Sequence, residues 1–487
     1  MNWGFPFSAE GRRPLLLAAC ASAVPDLYTA PNAGFAAVSD QTSAAIGKRT
    51  AFTQTQAENE AIQREVRALV QGKTISADTA VQVALLNNKG LQASYAEIGL
   101  SAATAWQEAT PVNPVVSIGV LGIGAAELGA YRAIEGMIAS NLLAAQTRQQ
   151  RMALADVNFR AAQARAVDDT LALANQTRAA WIRAVAAFET VSYLQRAKVT
   201  SDAGAELAQR LGETGALNKA GQAREFAFNA ELAGQLAQAR LNATRAKEEL
   251  TRLMGLWGDD VSYFVPDALP AVPRNLRSVA GIEARALNNR VDLRVAKLDL
   301  EAQAAAFGLT DRTRLVTDLE LIAGVEAERE IEDGRRRTEA SPQLELEFAI
   351  PIFDTGKARM RKAELSYLQS ANVLAQKAVN IRSEARAAEA GYRATHRIAQ
   401  HYRDVLVPLR ATVEQEGLLS YNGMITSTFE LISAARDRLG AELKAANAKR
   451  DFFLAEADLT AAIYGGGSAA FSPSAPAALA AAGDAEH

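Results

Sequence analysis

The chain has 487 residues, a formal net charge of −3 and only 6% aromatic residues. That length leaves room for several domains, and the charge gives no basic footprint for nucleic acid. Alanine is abundant throughout, which suits close-packed helices and coiled coils better than one large globular core.

The chain has one cysteine, Cys20, so an internal disulfide framework is excluded. It follows Leu17, Ala18 and Ala19, with Arg12 and Arg13 upstream. This is the pattern of a lipoprotein cleavage box, in which the cysteine is acylated and becomes the mature N-terminus. Residues 1–20 are therefore expected to be a leader and Cys20 a lipidation site. A plain signal remnant, a misplaced start or a buried free cysteine is the alternative. Residues 21–72 form an N-terminal arm. Its first part, 21–55, lacks periodicity and reads as extended, and the stretch from Gln56 to Val70 reads as a helix that stops at Gly72.

A unit from 73 to 258 follows. Ser76 is placed to cap a helix running to about Gln107, which must stop before Pro111 and Pro114. Val116, Ile118 and Val120 alternate with Ser117 and Gly119, so strands are expected at about 115–124 and, more weakly, 131–141. Glu127 and Glu135 fall near the apolar side of this pair. From Leu142 to about Gly212 there is no proline, and some 70 residues at ~1.5 Å each predict a helix of roughly 105 Å. After a turn at Arg210–Lys219, Leu232, Leu236, Ala239, Ala243, Ala246, Leu250 and Leu253 step by 4 and 3, a heptad seam that needs a partner helix.

Pro266, Pro270 and Pro273 mark a linker, 259–276. A second unit, 277–464, then echoes the first: Ala84-Leu-Leu-Asn-Asn-Lys-Gly-Leu-Gln-Ala93 returns as Ala286-Leu-Asn-Asn-Arg-Val-Asp-Leu-Arg-Val295. Such self-similarity indicates internal duplication. Strands are expected at about 316–327 and 342–352, where Leu319, Leu321, Ala323, Val325, Leu344, Leu346, Phe348 and Ile350 alternate with polar residues. The charged stretch Glu328–Ser341 between them reads as a solvated hairpin loop. Asp354 is placed to cap a long helix, bent at Pro408. A second turn, Leu419–Ser427, matches the first. Gly215 aligns with Gly423 as a left-handed stop, and Asn218 with Thr426 as the next cap. The tail 465–487 is Gly/Ala/Ser/Pro-rich and is expected to be disordered.

These segments together resemble the TolC family of bacterial outer-membrane efflux proteins. The resemblance covers roughly residues 74–464. It is carried by Thr79-Ala-Val-Gln-Val-Ala-Leu-Leu-Asn-Asn88 with Leu91, by Asn113-Pro114, and by Thr251-Arg-Leu-Met-Gly-Leu-Trp-Gly258. Ile350-Pro-Ile-Phe-Asp-Thr-Gly-Lys-Ala-Arg359 is similar to the family's strand-to-helix junction, and Tyr421-Asn-Gly-Met-Ile-Thr-Ser-Thr-Phe-Glu-Leu431 to its second helical tip. The order of these segments and the doubled layout carry the match; no single one decides it. The resemblance implies a mainly α fold with a small β part. Three protomers would form an α-helical barrel continuous with a 12-stranded outer-membrane β-barrel, four strands from each, with two internal repeats per chain. It implies a passive, lipid-embedded duct extending into the periplasm. Its partners would be a periplasmic adaptor and an inner-membrane pump, and its cargo small molecules such as drugs or metal ions.

Elementary physics points the same way. The longest apolar runs fall short of the roughly 18–20 residues of a spanning helix, so any crossing must be by strands in a closed barrel. Four strands leave open edges, which three copies would remove. Asp318, Glu320, Glu326, Glu345 and Glu347 should face away from lipid and make an acidic, cation-favouring lumen, although any water-filled barrel has a polar interior. Arg210, Gly215, Asn218, Lys219, Gly423 and Thr426 should shape the adaptor-facing tips, or serve as simple caps. His396 and His401 are five apart and not at the i,i+4 spacing of a metal pair. No constellation points to a catalytic site or a cofactor. The competing expectation is a coiled-coil scaffold that never enters lipid.

Overall fold

The computed structural model describes residues 24–124, 131–276, 280–332, 335–423 and 425–467. They divide into two compact units. One comprises Leu100–Phe159, Glu301–Leu368 and the segment up to Ala33; the other comprises Gly34–Gly99, Arg160–Leu300 and the segment from Gln369.

In chain order the elements begin with α1 (Asp26–Thr29), α2 (Phe35–Ile46), α3 (Gln56–Val70), α4 (Ala77–Asn87) and α5 (Lys89–Ala109). The first hairpin, β1 (Val115–Leu121) and β2 (Ala133–Asn141), leads into α6 (Leu142–Glu213) and α7 (Lys219–Met254). Then come α8 (Ile282–Asn289), α9 (Val291–Arg312), the hairpin β3 (Leu319–Glu332) and β4 (Arg335–Phe348), α10 (Lys357–His401), α11 (Val407–Asn422) and α12 (Thr428–Tyr464). Among the described residues, no helix is long and apolar enough to cross a membrane.

The strand-bearing unit holds one antiparallel sheet of order β1-β2-β3-β4. The helix ends beneath it are clasped by charge. Arg148 donates to the Ala109 carbonyl at 2.8 Å, which caps α5, and Arg151 pairs with Glu108 at 2.9 Å. Tyr28 of α1 donates its hydroxyl to Asp156 at 2.7 Å and packs edge-on against Phe159. The stretch 21–55 is therefore not simply extended, because α1 and α2 find apolar partners on distant helices.

In the helical unit, α4 is buried along most of its length. Ser76 caps it, accepting from the Thr79 N–H. The expected single helix is broken at Asn88 (φ −64°, ψ 119°), and the same break recurs at Arg290 (φ −67°, ψ 121°) between α8 and α9. A residue in extended conformation cannot continue a helix, so periodicity carries across while the backbone does not. The seam on α7 buries Leu232, Leu236 and Ala239 against Leu194 of α6, with Leu439 and Leu443 of α12 alongside. A second core stacks Tyr392 on Phe452. His396 belongs to it, with a ring nitrogen 2.7 Å from the Pro273 carbonyl, so its role is to fasten the linker.

Pro408 sits in the first turn of α11, after a π turn at Tyr402–Leu406. The widened turn absorbs the carbonyl that proline leaves without a donor. Asp354 does not cap α10 directly. It accepts from the Gly356 N–H at 2.8 Å, and the helix starts at Lys357.

The ends of α7 and α12 each dock on one of the two breaks. In the first, Asn87 donates to the carbonyls of Met254 and Gly255, and Asn88 to that of Leu253. In the second, Arg290 holds Asp292 through two hydrogen bonds, 3.0 and 2.8 Å, beside Gly465. Gly466 follows at φ +72°, where a Cβ would lie 2.5 Å from the Ala172 nitrogen, and its N–H donates to Asp168 at 3.3 Å. The first residues of the expected disordered tail are thus strapped to α6, while residues from 468 onward lie outside the described residues.

Burial, reinforced by nearby Asp292, pushes the Asp168 carboxyl up to about 6. An acid whose folded pKa is raised stabilises the fold when protonated, and that contribution is lost as pH rises from about 4 through about 6. Asp168→Asn should therefore raise the thermal midpoint of the helical signal at pH 7.5, and the difference should vanish below about pH 4. Equal midpoints at pH 7.5 would show that this carboxyl does not limit stability.

Candidate functional site

In an antiparallel sheet, directly opposed residues share a face, and faces alternate along each strand. The register therefore sorts every strand residue. Leu321 faces Leu346, Ala323 faces both Leu344 and Ile138, and Ile138 faces Val116. Among the described residues much of this apolar face is open: Ile118 is 77% exposed and Leu344 74%. From Leu319 to Ala327 it covers nine residues of β3, about 30 Å along the strand or ~23 Å in height at a 40° tilt, close to the ~25 Å apolar band of a membrane barrel.

The other face is acidic. Glu320 stands opposite Glu347, Glu345 opposite Ile322, and Glu326 opposite Ser341. Gln343 donates to Glu326 at 2.9 Å. Asp318 precedes the first paired rung, Leu319–Phe348, and is outside the ladder. The structure adds carboxylates that the pattern missed. Glu135 is level with Glu326 and lies on this polar face, which corrects its expected place near the apolar side. Glu127 lies outside the described residues. Residues 328–332 and 335–341 do not form a loop: they continue both strands, with Glu328 opposite Glu339, Glu330 opposite Arg337 and Glu332 opposite Arg335. Opposite charges at Glu330 and Arg337 across the pair favour the strand pairing.

The helical turns lie in the other unit. At the first, Gly215 has φ +76° and supplies the left-handed stop after α6. Asn218 caps α7, its Oδ1 accepting from the Gly221 N–H at 2.8 Å. Lys219 is the first residue of that helix, and Arg210 is held by Glu206 one turn back. The second turn differs from expectation. Gly423 has φ −78°, so it ends α11 without a left-handed residue. The cap of α12 is Ser427, not Thr426, whose hydroxyl instead meets the Glu430 carboxylate. Neighbouring polar residues compete for one cap, and side-chain type alone does not choose between them. The turns approach each other where the Arg224 guanidinium lies 5.3 Å from the Phe429 ring centroid. Behind them is a cavity of about 500 Å³ lined by Tyr193, Thr200, Glu225, Phe228, Arg436 and Arg438. Burial raises the Glu225 carboxyl above its ordinary range, and Arg436 offsets part of that.

No family model matches the chain, and no curated protein does. Solved structures do. The outer-membrane channel OprN is 18% identical, with a TM-score of 0.64 over 85% of this chain and 93% of that one. CusC is 17% identical, with a TM-score of 0.65 over 80% and 92%. The open-state MtrE outer-membrane channel of Neisseria gonorrhoeae is 17% identical, with a TM-score of 0.63 over 80% and 89%. The chain has the fold of these outer-membrane channels. Its helical framework and its single four-stranded sheet are the TolC-type architecture.

Within this fold the two turn glycines have different duties. Gly215→Ala must hold a side chain at positive φ and should cost about 1 kcal/mol. At Gly423 the added Cβ meets only ordinary contacts, 3.4 Å from Ile425, so Gly423→Ala should be close to neutral. Chemical denaturation of the two variants checks this; equal losses would mean that torsion does not distinguish the turns.

Proposed function

We propose that this protein is the outer-membrane channel of an export system: a passive duct for small molecules that works as a homotrimer with a periplasmic adaptor and an inner-membrane pump. One observation carries the reading. The sheet exposes a broad apolar face of bilayer height, carries carboxylates on its other face, and ends in two unpaired edge strands, β1 and β4. Lipid accepts the apolar face but satisfies no backbone hydrogen bond, so both edges must be paired. The order β1-β2-β3-β4 alternates in direction, so β4 of one copy meets β1 of the next antiparallel. Three copies give twelve strands, an even number as in bacterial barrels.

The helices support the same assembly. Val379, Ile398, Leu409 and Val413 stay exposed on α10 and α11, apolar surface that neighbouring copies would cover. The arm is compatible with an acyl anchor. Tyr28 is fixed beside Asp156, some 21 Å along α6 from the end of β2, and the eight residues back to Cys20 reach up to about 28 Å. Cys20 itself lies outside the described residues.

Threefold repetition of Glu135, Glu320, Glu326, Glu345 and Glu347 would line the bore with carboxylates and favour cations. The detergent-solubilised protein should contain three chains per particle and conduct in planar bilayers with cation preference. Glu345→Gln/Glu347→Gln should weaken that preference without loss of the trimer. A non-conducting monomer extracted without detergent would point to a scaffold instead, and an unchanged preference in the double variant would remove the acidic lining from the mechanism.

A further inference from the structure

The cavity behind the helical turns has a second lobe. The two lobes share a wall that includes Gly204 of α6, Glu414 of α11, and Ile432 and Arg438 of α12. The first lobe, of about 500 Å³, is closed on another side by α7 and carries the charges. The second, of about 590 Å³, is mostly apolar, with Leu207, Leu418 and Leu431 in its lining. Both lie within the helical unit of one protomer.

The charges of the first lobe are engaged, with one exception. Arg438 is held by both Glu414 and Glu442. The Arg196 guanidinium lies over the Tyr193 ring and donates to the Ser192 hydroxyl at 3.3 Å. That of Arg436 lies 3.8 Å from the Phe228 ring centroid and donates to the Arg224 carbonyl at 3.5 Å. Glu225 is left over. Only 7% of this residue is exposed, yet its carboxylate makes no hydrogen bond or ion pair among the described residues. Arg436 moderates its charge only from beyond ion-pair distance.

A buried carboxylate without a partner is costly. The lobe is therefore complementary to a ligand that brings the missing donor. A protonated amine supplies donors and opposite charge together. The adjoining apolar lobe would take a hydrocarbon body out of water.

We propose that this two-lobed cavity binds an amphiphilic primary amine, its ammonium on Glu225 and its apolar body against Leu207, Leu418 and Leu431. Bound there, the ligand would bridge the α6–α7 pair and the α11–α12 pair. The site is formed by one protomer and stands independently of the membrane-channel reading.

The test titrates the full-length protein in detergent with octylamine, 1-octanol and octanoate, followed by isothermal titration calorimetry. Glu225→Gln in the same detergent is the reference for partition into micelles. The expected result is saturable binding of octylamine alone, one per chain. Glu225→Gln should weaken it about tenfold or more, the loss of one charge-assisted hydrogen bond. Butylamine, which cannot fill the apolar lobe, should bind more weakly than octylamine. Leu418→Gln changes a half-exposed position in that lobe and does not touch the carboxylate. It should weaken octylamine and leave butylamine unchanged. Glu206→Gln, which removes the exposed partner of Arg210 outside the cavity, should leave octylamine binding as it was. Equal binding of octanol or octanoate, undiminished octylamine binding in Glu225→Gln, or no difference between the two amines overturns the site.

Discussion

The constraint on which the rest depends is the hydrogen bonding of two strand edges. A sheet of four strands leaves the outer backbone groups of β1 and β4 unpaired, and in hydrocarbon each such group costs several kcal/mol. The strands are also unequal: seven residues in β1, fourteen in β4. All four overlap only where Val115–Leu121 lies level with Ala139–Ala133, Ile322–Glu328 and Glu345–Glu339. These seven rungs span about 24 Å along the strands and coincide with the apolar face. Beyond them the β3–β4 hairpin continues without β1, and there its composition turns to Glu and Arg. Edges left open by the short strand fall where water can satisfy them.

The bore side shows a different compromise. Glu320 opposite Glu347, and Glu135 beside Glu326, place like charges across strands, an arrangement that works against pairing. An interior sealed from water would force these groups to neutralise. In a water-filled bore they keep their hydration and their counter-ions. The repulsion is therefore tolerable only if the face is wet, as the proposed bore would make it, and there it would attract cations. Polar residues were needed there; carboxylates alone were not, and their uniform sign across the central rungs is what gives the lining its direction.

Much of this was legible in the sequence because apolar residues leave a period. The second hairpin alternates cleanly from Leu319 to Val325 and from Leu344 to Phe348, and the α7 seam steps by 4 and 3. Both elements and their faces follow from burial alone. Where burial is absent, the pattern is silent. The stretch from Glu328 to Ser341 has no apolar face, so it reads as a loop; its strand pairing, with Glu330 opposite Arg337, becomes visible only with the register. Glu135 sits in a strand of Ala, Gly, Ile and Met whose alternation is too weak to fix its parity. Its face is decided by its partner, Glu326. The breaks at Asn88 and Arg290 interrupt helices without interrupting their apolar spacing. The choice of Ser427 over Thr426 as cap rests on one residue of backbone torsion.

The two breaks show how one geometric problem admits two chemistries. Each must receive the end of a long helix, where carbonyls lack intrahelical donors. At the first, Asn87 and Asn88 supply neutral amide donors to Leu253, Met254 and Gly255. At the second, the guanidinium of Arg290 is occupied by Asp292 and Glu384. The incoming segment bends at Gly465 and Gly466 to reach Asp168 instead. Burial opposes charge on Asp292, yet the Arg290 hydrogen bonds hold its carboxyl below the ordinary range, and that retained charge helps raise the neighbouring Asp168. The neutral junction is indifferent to pH between 4 and 7, whereas the ionic one is not. Of the two junctions, only the one at Arg290 carries titratable groups, and they meet where Asp168 of α6, Asp292 of α9 and the strap of Gly466 converge.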